Sequence, residues 1–227
     1  MKLPTLPWAK LLAEGTLIIV SVYFAIVLEG MSQDRQAERA AHTALAQMLD
    51  ELREDRSDVD VIRAEQRERD GQYDDLIQWL ASPESMPREP FGSAMDSLFG
   101  SNRTLYPRSS AWTNMVALGQ LAELDDPVLV TRLGNFYESV IVRIIDNGND
   151  YDENLNDIGR NSATQIWDGV NGRLLTTDSR QLAVFQNQLR YMHLVWNEWY
   201  LAQMTDLARR LDLLIIEIES YLKERTD

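Results

Sequence analysis

From Gly15 to Leu28 the chain carries no charged side chain, and from Met31 to Asp70 it holds neither glycine nor proline. The two facts together constrain the fold more than any other feature. A stretch this apolar must leave water, and the sequence behind it offers no reason for a helix to stop. At helical rise the uncharged residues span about 21 Å, short of a hydrocarbon core about 30 Å thick. Adding Leu11, Leu12 and Ala13 brings the span to about 27 Å, which fits a thin bilayer and places Glu14 about one turn inside its edge. Trp8 and Lys10 then stand where an interfacial aromatic and a snorkelling cation belong.

A cleaved signal peptide or a soluble core helix would also be apolar. The residues that follow the run, Val27-Leu28-Glu29-Gly30, lack the small-residue pattern of a cleavage site. The polar sequence beyond them continues in helical period. The expectation is an uncleaved anchor over residues 1–30, continuing into a helical domain over 31–227. Glu14, Ile18, Ser21, Ala25 and, nearly, Glu29 fall on one face of the anchor. Ser21 and Ala25 form a small-xxx-small pair that lets a second helix approach closely. A carboxyl group at Glu14 is costly toward lipid and faces protein or water, unless it snorkels to the headgroups. This face is a candidate contact with another integral membrane protein or with a copy of the chain. Lys2, Lys10 and the amino terminus oppose Arg35 and Arg39 across the span, which favours a cytoplasmic N-terminus by a narrow margin. In a bacterium the anchor would cross the inner membrane once, with the bulk of the chain periplasmic.

The remainder predicts an all-α fold, an antiparallel coiled-coil-like bundle. Apolar residues recur at Ala41, Leu45, Met48, Leu49, Leu52, Val59, Ile62, Leu76, Ile77 and Leu80, so the first helix is expected to reach about Leu80. Between them Arg63-Ala64-Glu65-Gln66-Arg67-Glu68-Arg69 predicts a solvated face with i,i+4 pairs. Residues 82–110 hold four of the seven prolines and predict an irregular connection with a short helix at Phe91 to Phe99. Ser109 or Ser110 is expected to cap a helix running to about Leu121. Asp126-Pro127 predicts an N-cap with proline at the first helical position. The helix after it is expected to carry Leu129, Leu133, Phe136, Val140 and Ile144 and to run, kinked at Gly148, to about Trp167. Asn171-Gly172 predicts a turn, and Thr177 or Asp178 the cap of the last helix. That helix shows a stripe through Leu182, Phe185, Leu189, Met192, Trp196, Trp199, Met204, Leu207, Leu211, Leu214, Ile218 and Leu222. No strand is expected.

Charge and residue scarcity narrow the function. The formal net charge is −14, from 36 acidic against 22 basic residues, without a basic run, which argues against nucleic acid as a partner. There is no cysteine, so thiol nucleophiles and Cys-ligated metals are excluded. Only two histidines are present, His42 and His193. Glu38 and His42 have the wrong spacing for a di-iron bundle, and His193 reads as a core-edge residue. Residues 146–153 invite a calcium loop, but Gly148 and Tyr151 occupy the wrong positions. No glycine-rich phosphate loop or activated nucleophile is present. The expectation is no enzyme, no cofactor and no metal. Trp167, Tyr191, Trp196, Trp199 and Tyr200 form an aromatic group that either packs or lines a site for a ligand or partner.

Three segments carry a resemblance: EGTLIIVSVYFAIVLEG, QDRQAERAAHTALAQMLDELRED and AWTNMVALGQLAELDDPVLVTRLGNFYESV. Together they resemble a family of uncharacterised bacterial proteins with one N-terminal membrane helix and a helical domain. Trp112, Gly119, Leu121, Asp126, Leu133, Phe136 and Tyr137 match that family's Trp-containing helix, Gly turn and aromatic pair. The resemblance implies a membrane-anchored all-helical protein and supplies no catalytic residue. The functional expectation is an accessory or scaffold subunit of a membrane complex. The alternative is an extracytoplasmic ligand-sensing bundle that works through a separate signalling partner.

Overall fold

The computed structural model describes residues 8–100 and 104–225, with side chains from Thr16 onward. The first helix, α1, runs unbroken over Trp8–Ala81, 74 residues or about 110 Å. Its apolar start and its bundle-forming half are therefore one continuous helix. In the bundle half, the positions that face inward step by threes and fours through Ala41, Leu45, Met48, Leu52, Asp55, Val59, Ile62, Gln66, Arg69, Tyr73, Leu76 and Leu80, and all are buried. This is the seam of a coiled coil. Three of its positions are polar or charged, so the run at 63–69 is only partly the solvated face expected of it.

After a short 3-10 turn at Pro83–Ser85, α2 (Arg88–Gly100) lies back on α1. It is longer than the Phe91 to Phe99 helix expected and buries Phe91, Gly92, Ala94, Met95 and Leu98. Helix α3 (Ser110–Ala117) stops before Leu121, because Gly119 turns left-handed at φ 67° and a 3-10 turn follows at Gln120–Glu123. Neither Ser109 nor Ser110 caps α3 in the expected way. Glu51 of α1 does so instead, accepting from the Ala111 N–H at 3.2 Å and from the Ser110 hydroxyl. Asp126 is the expected cap of α4 (Pro127–Asn135), its Oδ1 accepting from Val128 N and Leu129 N at 2.9 and 3.0 Å.

The middle helical run, 127–166, comprises α4, a π segment at Phe136–Ile141, α5 (Val142–Ile158), a second π segment at Gly159–Ala163, and α6 (Thr164–Ile166). The α-helix continues through Gly148. That residue is buried where Thr104 crosses, and a Cβ there would stand 3.2 Å from the Thr104 Cβ. A π turn holds one residue more than an α turn, so each π segment advances the buried face by one position. Ile141 is therefore buried where the even stripe predicted Val140.

A small hairpin reverses the chain where no strand was expected. Strand β1 (Trp167–Asp168) pairs antiparallel with β2 (Arg173–Leu174), with Trp167 opposite Leu174. The Asp168 carboxylate accepts from the Asn171 backbone and side-chain amides at 3.1 and 2.7 Å, and Gly172 adopts φ 59°. Strands of two residues leave no periodicity to detect. Asp178 then caps α7 (Ser179–Tyr191) through Arg180 N at 2.8 Å.

A third π segment, Met192–Asn197, joins α7 to α8 (Glu198–Glu224). The expected stripe loses phase here. Burial steps from Met192 to Asn197 and on to Tyr200 and Met204, leaving Trp199 42% exposed. Helices α7 and α8 run antiparallel to α1, as cross-links show: Gln186 to the Ile77 carbonyl, Asn197 to Gln66, Arg56 to Asp212 and Arg53 to Glu219. The middle run is antiparallel to α8, joined by Arg132–Glu217 and Asn147–Gln203. Arg225 pairs with Glu38 at 3.6 Å, so the end of α8 sits beside the part of α1 nearest the apolar segment.

Candidate functional site

Two regions of α1 carry residues that a packed helical core does not need: the apolar start and a buried polar layer. In the first, Leu17, Ile18, Ile19, Tyr23, Phe24, Ile26 and Leu28 are each more than 60% exposed. Thr16 onward holds a window of mean hydropathy 1.6 with no buried residue, which makes this helix a candidate membrane span. Ile18, Ser21 and Ala25 are all exposed and lie on one face. The Ser21 hydroxyl donates to the Leu17 carbonyl at 2.8 Å, so its polarity is satisfied within its own helix and Ser21 can face either lipid or a second helix. The Glu14 side chain lies outside the described residues.

The polar layer joins three helices at one height. Tyr151 of α5 is fully buried. Its hydroxyl lies 3.3 Å from Gln66 Oε1, 3.2 Å from Asn197 Oδ1 and 3.4 Å from Arg69 Nη1, which donates to it. Asn197 Nδ2 donates to the Gln66 carbonyl at 3.1 Å and to Asp70 Oδ1 at 2.5 Å. Tyr200 stacks on Tyr151 at 5.5 Å, and its hydroxyl accepts from Leu105 N at 2.9 Å. Thr104 donates to Asp152 at 2.7 Å. Burial pushes the Tyr151 and Tyr200 phenols above their ordinary range, so both stay protonated. Burial also raises the Asp152 carboxyl, while Thr104 and the charge of Arg69 pull it back. A hydrogen-bonded polar layer in an apolar seam penalises any sliding of one helix along another, because a slipped register breaks these pairings.

At the edge of this layer His193 stacks on Tyr73 at 5.4 Å, with Nε2 3.3 Å from Asp70 and Nδ1 3.5 Å from Asp74. It stands at the core edge as expected. His42 packs edge-on to Tyr221 at 5.8 Å, far along α1 from that layer. A second polar clamp lies nearer the apolar segment. Asp55, 1% exposed, accepts from the Arg108 backbone and guanidinium at 2.8 to 3.2 Å, and Arg108 also reaches Asp58 and Glu54. Desolvation dominates at Asp55 and pushes its carboxyl up to about 6.

The aromatic group is divided. Trp167 packs on Phe91 at 5.0 Å, and its ring covers Gly92 so closely that a Cβ there would stand 2.9 Å from Cζ2. Tyr200 belongs to the polar layer. Trp196 and Trp199 meet edge-on at 5.7 Å, and Trp199 lines a groove with α5. Sequence reasoning missed Gln66, Arg69, Asp55 and Asn197. The available signal was that the first three continue the three-four spacing of the seam. Asn197 had no such signal, since the π segment displaces it.

These features define an all-helical bundle built on one long helix that bears a candidate membrane span. The chain belongs to a family of unknown function, DUF6090, matched over residues 14–196. The match takes in the apolar segment and every element through α7, and ends inside the third π segment. No curated protein and no solved structure matches the chain. The motif that carried the resemblance folds into one corner. Trp112 stacks on Tyr137 at 5.1 Å, Phe136 meets Tyr137 edge-on, Leu133 is buried beside them, Gly119 supplies the left-handed turn and Asp126 the cap.

Proposed function

We propose that the protein is a non-enzymatic, membrane-anchored scaffold, an accessory subunit that binds another integral membrane protein or a second copy of itself. One observation carries this reading. The exposed apolar residues from Leu17 to Leu28 lie on the same unbroken helix whose other half is the central seam of the bundle. Any contact made by the anchor is thereby joined to the bundle through one continuous helix. The bundle's register in turn is pinned by the layer of Gln66, Arg69, Tyr151 and Asn197. The contact face is Glu14, Ile18, Ser21 and Ala25, and the orientation that goes with it has the N-terminus cytoplasmic and the bundle periplasmic.

Native membranes extracted in mild detergent test the reading. The expected result is a stoichiometric membrane partner or a defined homo-oligomer, lost when Ser21 and Ala25 are both changed to Leu, with helical content unchanged. Complexes that survive the double change intact refute the contact face. A second reading, a ligand-sensing bundle acting through a separate signalling partner, draws support from the groove beside Trp199.

A further inference from the structure

The groove lies between α5 with its preceding π segment and the first turns of α8, and it encloses about 550 Å³. That volume suits a small organic molecule. Its floor is apolar, from Val140, Ile144 and Leu207, and one side is the Trp199 indole. The first and third π segments account for its presence. One displaces the wall at Ser139 and Val140, and the other rotates Trp199 out of the core stripe to the rim.

The polar groups around it share one sign of demand. Arg143 is exposed and forms no ion pair among the described residues. Arg210 enters from the facing helix with its Nε on Asp206 at 2.6 Å, and Asp206 is also held by Arg209 at 2.6 Å. Those two guanidiniums, Arg210 first, keep the Asp206 carboxyl below its ordinary range. Two arginines, Arg143 and Arg210, thus line the groove with one carboxylate, Asp206, which Arg209 also holds from outside it. Gln203 points the same way. Its Oε1 accepts from Asn147 at 2.8 Å, while its buried Nε2 has no acceptor. A buried donor without a partner calls for an acceptor. In a chain of net charge −14, a groove with spare cationic charge and a spare donor is locally reversed in sign.

We propose that this groove binds an aromatic monocarboxylate, with its ring against Trp199 and its carboxylate on Arg143, Arg210 and Gln203 Nε2. The ring class follows from the exposed indole and apolar floor, since aromatic faces pair in offset or edge-on geometry. The single carboxylate follows from the excess of guanidinium donors, which form paired hydrogen bonds to a planar acid. The site deepens the ligand-sensing reading and rests on it only for its biological consequence. Its failure leaves the scaffold reading standing, because that reading is tested by association.

The test is calorimetric titration of the full chain in lipid nanodiscs with 1-naphthoate, with empty nanodiscs subtracted. The matched cation 1-naphthylmethylamine serves as control. The expected result is saturable one-to-one binding of the acid and none of the amine. Arg143→Gln should weaken it about 10-fold, the size of a lost charge-assisted contact at a partly open site. Arg143→Gln with Arg210→Gln together should abolish it, and Trp199→Ala should weaken it. Arg160→Gln, in a neighbouring groove, should leave it unchanged. Helical circular dichroism verifies that each variant is folded. Equal binding of the amine, binding that survives the double arginine change, or no saturable binding overturns the proposal.

Discussion

Deleting one residue from a helix ordinarily turns everything beyond it by about 100° and withdraws its buried face from the core. The segment Met192–Asn197 should be an exception. It holds one residue more than an α turn needs, and both Met192 at its start and Asn197 at its end are fully buried. Removing Leu194, which is 59% exposed, converts the five-residue step between them into a four-residue step. The segment becomes α-helical and every position of α8 keeps its face. The expected cost is at most about 1–2 kcal/mol, from local repacking near His193 and Trp196. The control is deletion of Leu213, 57% exposed but set in regular α-helix. There Leu214, Ile218 and Tyr221, all buried, would rotate away from the seam. At about 2 kcal/mol for each side chain the loss is about 6 kcal/mol, comparable with the whole stability of a domain. Denaturant unfolding followed by circular dichroism at 222 nm compares the two proteins. If deleting Leu194 is as damaging as deleting Leu213, the account of phase slippage is wrong.

Two further outcomes follow from single contacts. Gly92→Ala should destabilise the chain by about 1–3 kcal/mol, since the new methyl would meet the buried Trp167 ring; Trp167→Leu in the same background should recover part of the loss. Asp55 gives a pH dependence. Its carboxyl is raised to about 6 in the fold against about 4 when unfolded, so the unfolded chain gives up this proton first as pH rises. Stability is fully present below about pH 4 and falls through about pH 6, by ~3 kcal/mol in all. Asp55→Asn should remove that slope, so that the stability difference between the two proteins changes across this window; a constant difference would show that Asp55 does not titrate there.

The all-helical class, the unbroken first helix, the apolar start and the caps at Asp126 and Asp178 were legible in the sequence because each depends on local chemistry. Three-four spacing, a side-chain oxygen ahead of a helix and the lack of glycine or proline act within a few residues of themselves. The turn at Asn171-Gly172 was legible for the same reason. What remained hidden depends on a neighbour. A charged run such as 63–69 carries no mark of whether Gln66 and Arg69 face water or Tyr151 and Asn197, because only the approach of α5 and α8 decides what surrounds them. The cap of α3 comes from Glu51, fifty-nine residues before Ser110. Each π segment is a compromise between one helix's period and the cores on either side of it, so no residue type announces it. These slips moved Trp199 from the core to the rim of a groove and divided the aromatic group. The sequence by itself determined which segments are helical and which end is apolar, since backbone hydrogen bonding and hydrophobicity are properties of the segment. Only the tertiary structure decided which polar side chains are buried together and where a groove opens, since burial is a property of what packs against what.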